Sequence, residues 1–94
     1  MSHVTVTVPL PMRRLTGGVG LVSAQGDTVN ELLVELDERY PGFRAGLMAE
    51  DGKLLRYINI YVNSEDIRYS SGLSTIVRDG DRVQIIPAAA GGSR

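Results

Sequence analysis

This sequence predicts a small α+β domain: a mixed sheet of roughly four or five strands with one main helix packed on one face. Three observations carry the prediction. Residues 3–8, 57–63 and 82–86 alternate apolar and polar side chains with period two, as half-buried strands do. Residues 28–40 form the one long stretch with helical spacing. The resulting order is strand, strand, helix, strand, short strand, strand. One helix cannot cover both faces of such a sheet, so the other face is expected to meet solvent.

Taken in order, the first strand places Val4, Val6 and Val8 inward, and Pro9-Leu10-Pro11 ends it. A loop through Thr16-Gly17-Gly18 leads to a weaker second strand over residues 19–24, giving a hairpin. Gly17-Gly18 reads as a turn, because no lysine or helix start follows at phosphate-loop spacing. Thr28-Val29-Asn30-Glu31 has the capping-box pattern, and Asp27 adds negative charge at the helix start. Val29, Leu32, Leu33, Leu36 and Tyr40 share one helical face, while Glu31, Glu35, Asp37, Glu38 and Arg39 form a solvated one. Pro41-Gly42 stops the helix.

Beyond it, residues 43–49 form a short helical turn with Phe43, Leu47 and Met48 inward, and Glu50-Asp51-Gly52-Lys53 turns the chain. In the next strand Ile58, Ile60 and Val62 point one way and Tyr57, Asn59, Tyr61 and Asn63 the other. Asn63-Ser64-Glu65-Asp66 reads as a turn into an edge strand Ile67-Arg68-Tyr69. Gly72–Ile76 reads as a helical turn with Leu73 and Ile76 buried. Asp79-Gly80-Asp81 is a turn before the last strand, which is expected to pair in parallel with the first. The open face would then carry Thr5, Thr7, Asn59, Tyr61, Gln84 and Ile86. Tyr61 and Ile86 stand out as a docking patch, since exposed aromatic and apolar side chains favour interfaces.

Composition narrows the function classes. Lys+Arg 10 against Asp+Glu 11 gives a net charge of −1, with no basic run to attract nucleic acid. Cysteine is absent and His3 is the single histidine, so thiolate or multi-histidine metal sites and thiol chemistry are excluded. No signal segment and no apolar run of membrane-spanning length is present, so a cytoplasmic protein is expected. Lys53 is the only lysine.

The domain is read as residues 1–86 and the tail as residues 87–94. After Ile86 come Pro87, Ala88, Ala89, Ala90, Gly91, Gly92, Ser93 and Arg94. Pro87 lacks an N–H and cannot extend a ladder. Glycine has no Cβ, so Gly91-Gly92 is a thin, flexible end. Fully extended, residues 87–92 reach about 20 Å. Such an arm suits insertion into another protein's active site; a frayed terminus is the plain alternative.

This strand order, with Lys53-Leu54 through Arg56, Asn59-Ile60-Tyr61-Val62-Asn63, Glu65-Asp66, Gly72-Leu73, Asp79-Gly80-Asp81 and Ile86-Pro87-Ala88 before Ala90-Gly91-Gly92, resembles the ubiquitin-like β-grasp sulfur carriers of the MoaD/ThiS group. Within that group the resemblance is to the actinobacterial carriers that serve cysteine biosynthesis. It implies a protein co-substrate and not an enzyme. No cofactor is bound; an activating enzyme uses ATP to adenylate the Gly92 carboxylate, and a sulfur donor converts it to a thiocarboxylate. Gly91 gives close approach, and Tyr61, Ile86, Pro87, Ala88, Ala89 and Ala90 contact the partner. A sulfur-accepting synthase, pyridoxal-phosphate dependent in the cysteine route from O-phosphoserine, and a zinc-dependent protease are the further partners implied. Nucleic acid and membrane are not.

Carriers of this group usually end at the second glycine, whereas here Ser93-Arg94 follows. An amide at Gly92 cannot be adenylated as a carboxylate. Trimming by a protease, a remnant of protein production and loss of the carrier role are the three readings, and trimming is favoured. The alternative functions are supply of sulfur to molybdopterin, thiamine or thiosugar synthesis, modification of target lysines through Gly92, and a non-covalent binding module.

Overall fold

The computed structural model describes residues 2–87. Strand β1 (Ser2–Thr7) is followed by a 3-10 turn over Leu10–Thr16, then β2 (Leu21–Gly26) and helix α1 (Val29–Arg39). After a long connection come β3 (Ile58–Val62), β4 (Glu65–Asp66), two short 3-10 turns and β5 (Arg82–Pro87). The five strands lie in the order β2-β1-β5-β3-β4. β1 and β5 are parallel and the other pairs antiparallel, so the sheet is mixed, as expected.

The alternation read from the sequence decides which face is buried. Val4, Val6, Val22, Ala24, Ile58, Ile60, Val83 and Ile85 form one core with Val29, Leu32, Leu33 and Leu36 of α1. Burying a Leu or Val side chain contributes about 1.5–3 kcal/mol, so this face holds the domain together. Phe43 and Leu47 are fully buried beside it and Met48 is half-buried, as their spacing predicts. At the helix start Thr28 Oγ1 accepts from the Glu31 N–H at 3.2 Å. The Glu31 carboxylate reaches the Asp27 N–H at 2.8 Å, one residue before the cap. The first bond satisfies a donor that a helix start leaves unpaired, and the second ties the residue before the cap to the first turn. Gly26 lets the end of β2 approach the helix closely: a Cβ there would lie 2.9 Å from Glu31 Cβ and 3.1 Å from Leu32 N.

Four local expectations are corrected. The segment after β1 is a 3-10 turn and not an open loop; Thr16, buried within it, has its hydroxyl 2.7 Å from Val19 O and 3.1 Å from Arg13 O. That anchoring delays β2 to Leu21, two residues later than expected, and β2 continues to Gly26. The β3–β4 hairpin is closed by Asn63-Ser64 alone, both at positive φ (50° and 77°), with Val62 facing Glu65. Two positive-φ central residues match the twist of a two-residue hairpin. The edge strand is accordingly Glu65–Asp66, and Ile67–Tyr69 is a 3-10 turn. Asp66 Oδ1 accepts from the Arg68 N–H at 2.9 Å and lifts the chain off the sheet.

The fourth correction concerns Ile76, expected in the core but 64% exposed, while Val77 is buried and Leu73 half-buried. Ile76 makes an extended bridge to Thr28, with Val29 N bonded to Thr75 O and Val77 N to Asp27 O. Alternation in that extended segment turns Val77 inward and Ile76 out.

Candidate functional site

Pairing with β1 and β3 fixes where the last strand delivers the chain. Thr7 faces Gln84, and Ile58 faces Pro87, so the C-terminal end of β5 lies beside the end of β1 and the start of β3. Pro87, expected as the first tail residue, is the last residue of β5 and the root from which the tail departs. Ala88, Ala89, Ala90, Gly91, Gly92, Ser93 and Arg94 lie outside the described residues.

On the face away from α1, one cross-strand row runs Leu21, Thr7, Gln84, Tyr61 and Asp66. Ile86, opposite Asn59, is one pair closer to the tail. Tyr61 and Ile86 are thus diagonal neighbours on adjacent strands, about 7–8 Å apart in such geometry. Ile86 is 42% exposed and Tyr61 is half-buried. The structure brings together the two patch residues that the alternation singled out.

It also adds four that the sequence reading did not assign to this patch. Leu10 (72% exposed), Val19, Leu21 and Tyr57 (56%) are exposed large hydrophobics. Leu10 and Val19 belong to the connection that joins the end of β1 to the start of β2. Leu21 opens β2 opposite Thr7, and Tyr57 precedes Ile58, the partner of Pro87. With Ile86, five of the eight exposed large hydrophobics therefore gather at the end of the sheet where the tail leaves; Val34, Tyr69 and Ile76 are elsewhere. Val22 and Ala24 point inward, so strict alternation along residues 21–26 would have marked Leu21 as outward. Leu10 and Tyr57 become neighbours of the tail root only through long-range pairing.

The opposite end of the sheet is chemically different. His3 N donates to Asp79 Oδ1 at 2.7 Å, Asn63 Nδ2 to Asp81 Oδ1 at 2.8 Å, and Arg78 N to Asp81 Oδ2 at 2.8 Å. Asn63 Oδ1 in turn accepts from Arg82 N at 2.9 Å. The hydrogen bond from the His3 backbone holds the Asp79 carboxyl below the ordinary carboxylate value, and the nearby His3 ring adds to this. Among the described residues no cluster of His, Cys, Asp or Glu has metal-binding geometry, and no helix is long and apolar enough to cross a membrane. The exposed surface at the tail root offers apolar contact.

Comparison with known proteins agrees with this geometry. The chain is 49% identical over 92 residues to the sulfur carrier protein CysO of Mycobacterium tuberculosis, covering 96% of this chain and 99% of the relative. It is 35% identical over 65 residues to small archaeal modifier protein 3 of Haloferax volcanii, covering 69% and 70%. Among solved structures it matches a chain in the crystal structure of the Amycolatopsis orientalis BexX/CysO complex with a TM-score of 0.88 at 48% identity, covering 95% of this chain and 99% of that one. Together with the sheet order and the single helix, these matches make the fold a ubiquitin-like β-grasp. The ThiS family pattern matches residues 6–92, a span that takes in the end of β1, the other four strands, the helix and Gly91-Gly92; this chain belongs to the ThiS family.

Proposed function

We propose that this chain is a sulfur carrier, a protein co-substrate whose reactive atom is the carboxyl carbon of Gly92. The observation that carries the reading is the parallel β1–β5 pairing, which roots the tail at the one apolar end of the open sheet face. A rigid domain docks there, and the thin tail enters the partner's site, gaining the proximity advantage of a pre-positioned reactant. An activating enzyme first joins the Gly92 carboxylate oxygen to the α-phosphorus of ATP, releasing pyrophosphate. Sulfur at the sulfide level then attacks the acyl carbon and AMP leaves, giving a thiocarboxylate. Similarity to the sulfur carrier protein CysO supports the carrier role. On this reading that sulfur goes into cysteine synthesis, with an aminoacrylate formed from O-phosphoserine on a pyridoxal-phosphate enzyme as acceptor and a zinc protease releasing the product. Molybdopterin, thiamine and thiosugar synthesis are the other routes for the same chemistry. A second reading, attachment of Gly92 to lysines of other proteins, is favoured by the similarity to the archaeal modifier.

Ser93-Arg94 must be removed before any of these steps, because the amide after Gly92 has no free carboxylate. The test compares chains ending at Gly92 and at Arg94 with the activating enzyme, ATP and a sulfur donor, read by intact mass. Only the Gly92-ended chain is expected to gain the oxygen-to-sulfur mass difference. Equal conversion of both chains would sink the trimming step, and conversion of neither would sink the carrier reading. Lysine-linked remnants on other proteins, with no thiocarboxylate, would favour the modifier.

A further inference from the structure

The carboxylates of this chain are unevenly placed. None occurs in residues 1–26, in residues 52–64 or after Asp81. In the described fold those stretches supply β1, β2, β3, β5 and the 3-10 turn after β1, that is, the open face and the tail end of the sheet. The open face has a single carboxylate, Asp66, at the β4 edge, and it is already engaged with the Arg68 N–H. Cations are not missing from the same region. Arg13 and Arg14 sit on the turn after β1, and Arg56 is two residues before Ile58, which faces Pro87.

Two observations show that these charges are built into the end of the sheet without being neutralised there. Arg13 is held in place: its Nε donates to Val8 O at 3.2 Å, and its guanidinium lies over Gly20, where a Cβ would come within 2.9 Å of Cζ. Among the described residues the ion pairs are His3–Asp79 and Arg39–Glu35, neither at the tail end. The tail root is thus an apolar cluster of Leu10, Leu21, Tyr57 and Ile86 with three arginines set round it; Asp51, which lines the same depression as Arg56 and Tyr57, forms no ion pair with them.

We propose that Arg13, Arg14 and Arg56 are a cationic collar that matches an acidic rim around the apolar tail entrance of the activating enzyme. This rests on the carrier reading and adds the chemistry by which that partner is selected. Apolar contact alone would hold the domain without orienting it. Charges of one sign round the patch steer encounter and fix register, and they act mainly on association rate. A phosphate or nucleotide ligand does not account for the arrangement, because the guanidinium groups surround exposed apolar side chains and line no common pocket.

The test uses the chain ending at Gly92 and follows adenylation by the activating enzyme as KM and kcat at low and high salt. Arg14 and Arg56 are exposed, so the Arg14→Glu/Arg56→Glu variant folds, which a thermal melt verifies. Its KM is expected to rise about tenfold at low salt with kcat unchanged. The parent's KM should climb as the Debye length shortens from about 10 Å at 0.1 M salt to about 3 Å at 1 M, while the variant's stays flat. Arg78→Glu, at the other end of the sheet, serves as the control and should behave like the parent. An unchanged KM and salt slope in the double variant, with the parent active, overturns the collar and leaves the carrier reading standing. An equal loss in Arg78→Glu also overturns it, since general attraction would then explain the effect. No adenylation of the parent overturns the carrier reading, and the collar with it.

Discussion

The two ends of the sheet solve opposite problems. At the end holding the start of β1 and β5, side chains of Asn63, Asp79 and Asp81 hydrogen-bond the backbone or one another across two turns and the start of β1. At the other end the strands stop among exposed Leu10, Leu21, Tyr57 and Ile86, with arginines that form no ion pair among the described residues. The comparison teaches that carboxylates are engaged in hydrogen bonds to the backbone and to Asn63 at the end where turns meet the first strand. Apolar surface is left uncovered where something else is to bind.

Four substitutions can break or sharpen that contrast. The largest effect on stability is expected from Asp81→Ala, which strips partners from Asn63 Nδ2 and Arg78 N at once. A loss of about 1–2 kcal/mol in urea unfolding, with docking to the activating enzyme intact, fits a closing end. An unchanged urea midpoint would mean that the carboxylate stitches nothing. Next are Tyr61→Ala and Ile86→Ala, each expected to weaken docking by about 1 kcal/mol in a direct binding measurement while leaving the melt nearly unchanged. Unaltered affinity in both removes the patch.

The smallest effect concerns pH. Asp79 is held below its ordinary 3.8 chiefly by the His3 N–H, so its contribution is present above that value. It is lost as pH falls through the lowered folded value. Asp79→Asn should therefore lower stability slightly at neutral pH and flatten the acid limb below about pH 4 in a urea series. An acid limb identical to the parent's would exclude Asp79 as its source.

Much of this was legible beforehand. The valines of β1, the apolar stripe of α1 and the Thr28 cap were readable because burial of one face imposes period two or 3.6 on neighbouring residues. Tyr61 and Ile86 followed from the same alternation. Ile76 was misplaced because a 3-10 turn passes into extended chain between Ser74 and Val77, and the period changes within three residues. The Asn63-Ser64 hairpin was blurred for a related reason: Asn tolerates positive φ, but Ser beside it carries no comparable signal.

By itself, then, the sequence determined which side chains of β1, β3, β5 and α1 face inward, where the helix begins and that a Gly-Gly pair follows the last strand. Tertiary structure alone decided which strand ends meet. Pairing β1 with β5 joins the first and last strands, and no local period encodes such a long-range closure. Leu10, Leu21, Tyr57, Ile86 and the three arginines are scattered along the sequence. They become one surface round the tail root only because that pairing, and the antiparallel β3 beside it, bring their strand ends to the same edge of the domain.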